Sequence, residues 1–256
     1  MGRMKNYLPE LGGTPKELRN GRSIRDGYVR GWGLQFGDLR AQVRKDPLYT
    51  EALALSAGRT VVSEDNRMNL FLILRFFLGG IPSGHIVEFG SYKGGNAIFL
   101  AYVAGKLYPG MKVYSLDTFS GMPATDVAID AHSQGDFKDV DLRELREFAM
   151  SNGLKNLEFA QGLFQDTAPN ILREASQISL AHIDCDIYSS VAYSYEVVRE
   201  YMVSGGYLVF DDAAVSSCLG ATEAVETLLI RRDGLNSEQI YPQFVFRAPD
   251  LRACRV

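Results

Sequence analysis

The feature that most limits the fold of this chain is an alternation, from residue 85 onward, of short apolar runs with helical patterns. The runs typical of strands are residues 85–89, 112–116, 157–160, 180–183, 207–210 and 243–247, and the helical patterns are 96–106, 141–152, 190–203 and 222–231. Such alternation indicates an α/β fold with a mostly parallel sheet that is covered by helices on both faces. Ligands of such sheets bind at the carboxyl ends of the strands, near the point where the strand order reverses. We therefore look for chemistry at the strand ends.

The chain before the sheet has a different character. Residues 38–79 have a helical pattern, in which Ser63 is a candidate helix cap and Gly79 and Gly80 mark the end of the last helix. Residues 1–30 are rich in Lys and Arg, which favours a solvated arm or an oligomer contact over the alternative of a lid that meets an anionic substrate. We predict an N-terminal arm with helices over residues 1–60 and one larger α/β domain over residues 61–256.

Composition excludes several classes of function. The formal net charge is −4, which argues against a surface built to bind nucleic acid or an anionic membrane. The longest apolar stretch, residues 68–78, is too short to span a membrane and contains Arg75. Three cysteines, with neither a CxxC pair nor a zinc-binding spacing, are typical of a protein from a reducing compartment. We expect a cytoplasmic protein with no nucleic-acid or membrane partner.

The end of the first predicted strand carries the pattern E-x-G-x-x-x-G, formed by Glu88, Gly90 and Gly94. Glycines allow a sharp turn and let a ligand approach the backbone. The pattern differs from the G-x-G-x-x-G fingerprint of dinucleotide-binding proteins. An acid two residues before the first glycine suits a ligand with a cationic amino group, such as the amino-acid part of S-adenosylmethionine. A tight turn without a ligand is the alternative.

The second predicted strand ends at Asp117, 27 residues after Gly90. An acid at this position accepts hydrogen bonds from ribose hydroxyls in dinucleotide-binding folds. The alternative role is to cap the turn over residues 118–121. Together with the glycine pattern, Asp117 favours ribose binding.

Acidic residues also end the fourth and fifth predicted strands. Asp184 and Asp186 follow one strand, and Asp211 and Asp212 follow the next. Anions that converge at low dielectric are costly unless a cation compensates them. Oxygen ligands favour Mg²⁺ or Ca²⁺. We expect a divalent cation here, the alternative being that some of these acids cap loops or pair with Lys and Arg.

The long connection over residues 122–140 is a candidate lid. It contains His132, whose ordinary pKa near neutrality makes it a candidate general base. A solvated histidine in a mobile loop is the alternative. His85 and His182 lie within predicted strands, and we interpret them as structural.

Five stretches in this order resemble the macrocin O-methyltransferase family: VEFGSYKGG, SLDTFSGMP, QGLFQDTAP, HIDCDIYSS and GGYLVFDD. These enzymes are class I, S-adenosylmethionine-dependent methyltransferases that methylate hydroxyls of sugars and other natural products. The resemblance covers residues 60 to 247. It implies a doubly wound, seven-stranded, Rossmann-like sheet with a final antiparallel strand, helical additions at the N-terminus, and a divalent cation that is usually Mg²⁺.

The resemblance also assigns residues. It implies a cofactor-binding set of Glu88, Gly90, Ser91, Gly94, Asn96, Asp117 and Gly162. It implies a metal-binding set of Asp184, Asp211 and Asp212. Asp184 also matches a catalytic position, so Asp184 and His132 are the two candidate catalytic residues. The stretch over residues 124–139 departs from the usual lid sequence of the family, which leaves the acceptor open.

The sequence thus predicts an O-methyltransferase that uses S-adenosylmethionine and Mg²⁺, or another divalent cation, on a small-molecule hydroxyl, such as that of a sugar in a natural product. We also expect a homodimer or a higher homo-oligomer. One alternative is an oxidoreductase that binds NAD or another nucleotide on the same fold, which the missing third glycine disfavours. The other is a ligand-binding module without catalysis, which the dense acidic edge disfavours.

Overall fold

The computed structural model describes residues 39–250 and, before them, a short antiparallel pair of strands, β1 (Leu18–Arg19) and β2 (Arg22–Ser23). The interpretation of residues 1–30 as a basic arm falls outside the described residues, apart from the backbone of this pair. The division of the chain at residue 60 stays a prediction.

Seven further strands form one sheet in the order β5-β4-β3-β6-β7-β9-β8. Their bounds are β3 His85–Phe89, β4 Val113–Asp117, β5 Leu157–Gln161, β6 Ile178–Ile183, β7 Met202–Phe210, β8 Ser237–Gln239 and β9 Phe244–Arg247. The strands from β3 to β7 are parallel, and β9 pairs antiparallel with both β7 and β8. The predicted doubly wound sheet with a final antiparallel strand is confirmed.

Helices precede the sheet and connect its strands. Their bounds are α1 Leu39–Val43, α2 Pro47–Leu55, α3 Glu64–Leu72, α4 Gly95–Leu107, α5 Leu142–Ser151, α6 Phe164–Ala175, α7 Tyr188–Val198 and α8 Leu219–Ala224. The hydroxyl of Ser63 caps α3 as predicted, since it accepts a hydrogen bond from the Asn66 amide at 3.1 Å. Among the described residues, no helix has the length and apolar character that crossing a bilayer requires.

Alternation along the strands creates an apolar layer on each face of the sheet. Ile86 faces a cluster with residues of α2, α3 and α4, in which Tyr49 packs edge-on against Phe71 and Phe99. The neighbouring Val87 faces a second cluster formed with α6, α7 and α8. Because both faces are covered, polar groups can meet solvent or a ligand only where the strands end.

Two elements differ from the sequence prediction. Helix α6 was not predicted, and apolar residues on one of its faces, including Ala168 and Leu172, are buried against the sheet. The predicted helix over residues 190–203 ends at Val198 and is followed by a 3₁₀ turn. Gly205 and Gly206 lie within β7, beside a register shift against β6, and Gly205 has a φ of +71°.

Close contact between the ends of β3 and β6 depends on Gly90. Its φ is +87°, and a Cβ atom built on it would lie 1.7 Å from the carbonyl oxygen of Asp184. The backbone of β6 therefore passes directly against Gly90, which brings the loop after β3 next to the acids after β6.

We expect Gly90→Ala to destabilise the chain more than the matched variant Gly110→Ala. Gly110 has a similar φ of +92°, but a Cβ atom added to it would meet open space within 4 Å. The control suffers only the cost of the left-handed conformation, about 1–2 kcal/mol, whereas Gly90→Ala adds a clash with backbone that costs a further ~1–3 kcal/mol. Urea unfolding of both variants checks this, and equal losses would show that the two strand ends separate freely.

Candidate active site

A cavity of about 880 Å³ opens at the carboxyl ends of the central strands. It lies at the boundary between β3 and β6, where the order of the strands in the sheet reverses. The predicted site residues on its wall are Glu88, Gly90, Ser91, Asn96, Asp117, His132, Asp184, Asp211 and Asp212. Gly94 and Gly162 do not line it: Gly94 packs against Leu145 and Phe159, and Gly162 precedes the lining residue Leu163.

Glu88 is fully buried and organises the start of α4. One carboxylate oxygen accepts from Asn96 Nδ2 at 2.7 Å, and the other accepts from Ser91 Oγ at 2.9 Å. The Oδ1 atom of Asn96 is itself buried with no hydrogen-bond partner among the described residues. The negative charge of Glu88 thus lies behind two polar side chains on the cavity wall, and direct contact between Glu88 and a ligand stays a prediction.

Asp117 joins two loops through the backbone. Its Oδ2 atom accepts from the amides of Ser91 and Tyr92 at 2.8 and 2.9 Å, and its Oδ1 atom accepts from the Phe119 amide at 2.7 Å. The turn-capping role weighed for Asp117 is therefore present in the structure. Each carboxylate oxygen can accept more than one hydrogen bond, so the capping does not conflict with ribose binding, which stays a prediction.

Acidic side chains meet at the ends of β6 and β7. Ligand atoms of His182, Asp184 and Asp211 lie within 4.8 Å of one another, whereas Asp212 stands outside this group and accepts a hydrogen bond from the Asp186 amide at 3.0 Å. Burial raises the pKa of Asp184 well above its ordinary value, and the charges of Asp211 and Asp212 raise it further. Burial likewise raises the pKa of Asp212, together with the charges of Asp186 and Asp211. The donor set consists of oxygens and carries excess negative charge, which fits a hard divalent cation.

His182 links Glu88, near the end of β3, to Asp211, one of the predicted metal-binding acids. The ring is fully buried, with Nδ1 3.1 Å from Glu88 and Nε2 3.1 Å from Asp211. Burial by itself lowers the pKa of His182, but the hydrogen bonds with Asp211 and Glu88 outweigh burial and raise the pKa to about 9. The ring is therefore a cation at neutral pH that pairs with a carboxylate on each side.

A chain of amides continues from Asp211 to the far edge of the sheet. The buried Gln243 side chain donates to Asp211 and accepts from Asn69 Nδ2 at 3.2 Å. Asn69 in turn accepts from Gln239 at 2.9 Å. The orientation of Asp211 is therefore fixed from β9 and α3 as well as from β6.

The predicted base, His132, lies on the rim of the cavity. Its Nε2 atom is 3.5 Å from Asp186 Oδ1, and its Nδ1 atom is 3.5 Å from Asp136 Oδ2. Burial raises the pKa of Asp186, against the opposing effect of His132. Asp186 also has a φ of +58°, which is uncommon for a residue with a side chain and directs this loop toward the cavity.

The connection between β4 and α5 is anchored at its middle. Asp130 is 8% exposed, and its Oδ1 atom accepts from the amide of Tyr188 at the start of α7 at 2.9 Å. Farther along, Asp139 accepts from the Tyr92 hydroxyl and pairs with Lys93, both at 2.7 Å. The predicted lid is thus fixed to the rim at two points, and His132 lies between them.

Sequence reasoning did not select three residues of this site. Asp186 was noted as an acid of its strand end but was not assigned a role, although its spacing of two from Asp184 is a usable signal. Gln243 and Cys218 carry no signal, because their partners are distant in the sequence. The sequence analysis interpreted His182 as structural. In the structure its ring holds two predicted site residues, Glu88 and Asp211.

We expect His182→Leu to lower the free energy of unfolding by about 3–5 kcal/mol, because it leaves two buried carboxylates without their cation. The control is His85→Leu, which loses one hydrogen bond from the Lys112 amide and costs about 1 kcal/mol. Adding Glu88→Gln and Asp211→Asn to His182→Leu restores part of the loss if repulsion is its cause. Urea unfolding measures all three effects, and a loss no larger than that of His85→Leu contradicts the pairing.

Known proteins resemble this chain in sequence and in fold. The model of the family "Macrocin-O-methyltransferase (TylF)" matches residues 57–229. The 8-demethyl-8-(2,3-dimethoxy-alpha-L-rhamnosyl)-tetracenomycin-C 4'-O-methyltransferase of Streptomyces olivaceus is 27% identical over 177 residues, which are 65% of this chain and 67% of the relative.

Two solved structures share the fold. The O-methyltransferase NovP has a TM-score of 0.62 at 20% identity, covering 75% of this chain and 82% of its own. The calicheamicin methyltransferase CalS11 has a TM-score of 0.58 at 23% identity, covering 82% of this chain and 96% of its own. The family match covers more than half of the sequence, from the residues just before α3 to those just after α8. The chain therefore belongs to the macrocin O-methyltransferase family, and it is an O-methyltransferase with the class I methyltransferase fold.

Proposed function

We propose that this enzyme transfers a methyl group from S-adenosylmethionine to a hydroxyl of a sugar or another polyhydroxylated natural product, with Mg²⁺ bound by Asp184, Asp211 and Asp212. The observation that carries the proposal is that the glycine loop after β3 and the three carboxylates share one cavity. The two alternatives from the sequence, an oxidoreductase and a binding module without catalysis, are set aside because the chain belongs to a methyltransferase family.

The loop after β3 suits a cationic donor molecule. Ser91 and Asn96 face the cavity with the charge of Glu88 behind them, and the buried Asn96 Oδ1 atom lacks a donor among the described residues. A ligand with an ammonium and a sulfonium group supplies both a donor and positive charge. Asp117, on the neighbouring strand, would hold the ribose through its remaining lone pairs. S-adenosylmethionine, when bound, supplies the methyl group as part of a good leaving group.

The three carboxylates suit the cation. Burial raises the pKa values of Asp184 and Asp212, and the charge of Asp211 raises both further, so negative charge is disfavoured at these two positions in the protein alone. Mg²⁺, when bound, supplies the charge that offsets this repulsion and makes a nearby hydroxyl easier to deprotonate. Asp211 is held in place by His182 and Gln243, so the site is preorganised.

His132 is the better placed of the two candidate bases. It lines the cavity with a carboxylate beside each ring nitrogen, which orients the ring. Asp184, the other candidate, belongs to the proposed cation site, which would make it a weaker base. Removal of the acceptor proton by His132 therefore precedes or accompanies methyl transfer.

The name of the Streptomyces olivaceus relative supports a sugar hydroxyl as acceptor, since that enzyme methylates the 4' position of a rhamnosyl group. The connection over residues 122–140 contributes Met122, Pro123 and Phe137 to the cavity wall beside His132. These apolar side chains suit the nonpolar faces and substituents of a sugar and of the scaffold attached to it. The homo-oligomer and the cytoplasmic location stay predictions.

We expect Mg²⁺ to raise the free energy of unfolding by about 2.7 kcal/mol at a free concentration 100 times its dissociation constant. Asp184→Asn should abolish this gain, and without Mg²⁺ it should unfold at the same temperature as the parent or higher, because one repelling charge is gone. The control is Asp166→Asn, which changes an exposed acid at the start of α6 and keeps the response. Thermal unfolding with Mg²⁺ or EDTA measures the effect.

The same melting assay distinguishes the two candidate cofactor types: S-adenosylhomocysteine should stabilise the enzyme and NAD should not. Stabilisation by NAD alone, or an equal Mg²⁺ response in Asp184→Asn, contradicts the proposal.

We expect His132→Gln to lower kcat by about 10²–10⁴-fold with little change in S-adenosylhomocysteine binding. The residual rate should rise with pH as solvent takes over the proton transfer. Steady-state rates over a pH series check this. If His132→Gln keeps full turnover at every pH while Asp184→Asn loses it with the cation still bound, Asp184 is the base instead.

A further inference from the structure

We infer that His132, Asp186 and Cys218 form a second cation site, for Zn²⁺ or another divalent ion that accepts thiolate ligands, on the rim of the cavity. The three side chains come from three separate segments: the connection before α5, the loop after β6 and the residue before α8. Their ligand atoms lie within 4.8 Å of one another. This site shares no residue with the three carboxylates of the Mg²⁺ proposal.

The distances between the ligand atoms match a tetrahedral zinc site. Zinc bonds of about 2.0–2.3 Å at tetrahedral angles place neighbouring ligand atoms about 3.3–3.6 Å apart. The structure gives 3.5 Å from His132 Nε2 to Asp186 Oδ1, 3.4 Å from Cys218 Sγ to Asp186 Oδ1, and 3.8 Å from Cys218 Sγ to His132 Nε2. An ion can therefore enter among these atoms with shifts of a few tenths of an ångström.

The donor chemistry distinguishes this site from the first. A thiol, an imidazole and one carboxylate are ligands that zinc accepts and Mg²⁺ does not favour. The Cys218 thiol, which is hydrogen-bonded to Asp186, releases its proton on binding the ion. All three residues line the cavity, which provides a path of entry and leaves the fourth position to a water or a ligand.

His132 is also oriented as a metal ligand is. Its Nε2 atom points at Asp186 and Cys218, while its Nδ1 atom faces the Asp136 carboxylate at 3.5 Å. A carboxylate behind the second ring nitrogen fixes the tautomer of a zinc-binding histidine and strengthens its bond to the metal. Sequence spacing does not reveal such a site, since Cys218 lies 86 residues after His132 and 32 after Asp186.

An ion at this site has two consequences. It joins the connection over residues 122–140 to the loops after β6 and β7, which fixes the rim of the cavity. It also occupies the Nε2 lone pair of His132 and so prevents proton transfer. The second consequence rests on the proposed role of His132 as base, whereas binding of the ion does not.

The test is a titration with Co²⁺ and then Zn²⁺, in the presence of excess Mg²⁺ to fill the carboxylate site. A thiolate bound to Co²⁺ gives a charge-transfer band in the near ultraviolet, which Zn²⁺ abolishes by displacement. All proteins carry Cys254→Ser, so that only Cys185 and Cys218 remain as thiols. The variants are Cys218→Ser and, as the matched control, Cys185→Ser, since Cys185 is also buried but its sulfur lies 4.0 Å from Ser194 Oγ and is not part of the His132 group.

We expect the band in the parent and in Cys185→Ser and its loss in Cys218→Ser. Asp136→Asn should weaken Zn²⁺ binding by about 10–100-fold without removing the band at saturation. A folded parent that shows no band, a band that depends on Cys185, or Zn²⁺ binding that is lost with Asp211→Asn and kept in Cys218→Ser overturns the site.

Methyl transfer provides the second readout. Zn²⁺ should inhibit the parent, while Cys218→Ser, compared with its own rate without Zn²⁺, should be at least about tenfold less sensitive to Zn²⁺. If the cobalt band behaves as expected but Zn²⁺ does not inhibit, the site stands and the role of His132 as base fails.

Discussion

The active site depends on one buried ion pair shared by three residues. Glu88 lies near the end of β3 and Asp211 follows β7, on either side of β6, and each would be a buried anion without a cationic partner if the His182 ring were not between them. Because the ring bonds with both, the same side chain sets the position of the residue before the glycine loop and the position of one of the proposed metal-binding acids. The two proposed binding regions of the cavity, for the methyl donor and for the cation, are therefore connected through His182.

Charge is distributed unevenly around this unit. His182 compensates two carboxylates, but Asp184 and Asp212 form no ion pair of their own among the described residues. Burial raises the pKa values of both, and the charges of neighbouring acids raise them further. The fold tolerates this cost because the packing of β6 and β7 fixes the backbone that leads into both residues. Under the proposed function, a divalent cation would relieve this repulsion in addition to forming new bonds.

The rules for strand ends predicted much of this arrangement from sequence. Asp117, Asp184, Asp211 and Asp212 were placed correctly at one edge of a parallel sheet because apolar runs end at them. Contacts between residues far apart in the chain could not be predicted in this way. Gln243 and Cys218 become visible only when β9 and α8 are packed beside β7 and β6.

Errors in the predicted elements have a related cause. Helix α6 contains Pro169 and β7 contains two glycines, and in both elements the burial of neighbouring residues outweighs local propensity. The glycines of the predicted cofactor-binding set have different surroundings. Gly90 is required by backbone contact with Asp184, whereas Gly94 faces the apolar cluster of α5. A shared motif therefore combines positions that shape the cavity with positions that support it from outside.

The anchor at Asp130 divides the long connection after β4 into two short segments with different neighbours. The first carries Met122 and Pro123, and the second carries His132 and ends at the Asp139 contacts. Gly220 lies so close to Asp130 that any larger side chain there would displace the anchor. Exchange of the first segment during evolution can therefore change the cavity wall around Met122 and Pro123 while His132, the proposed base, stays in place.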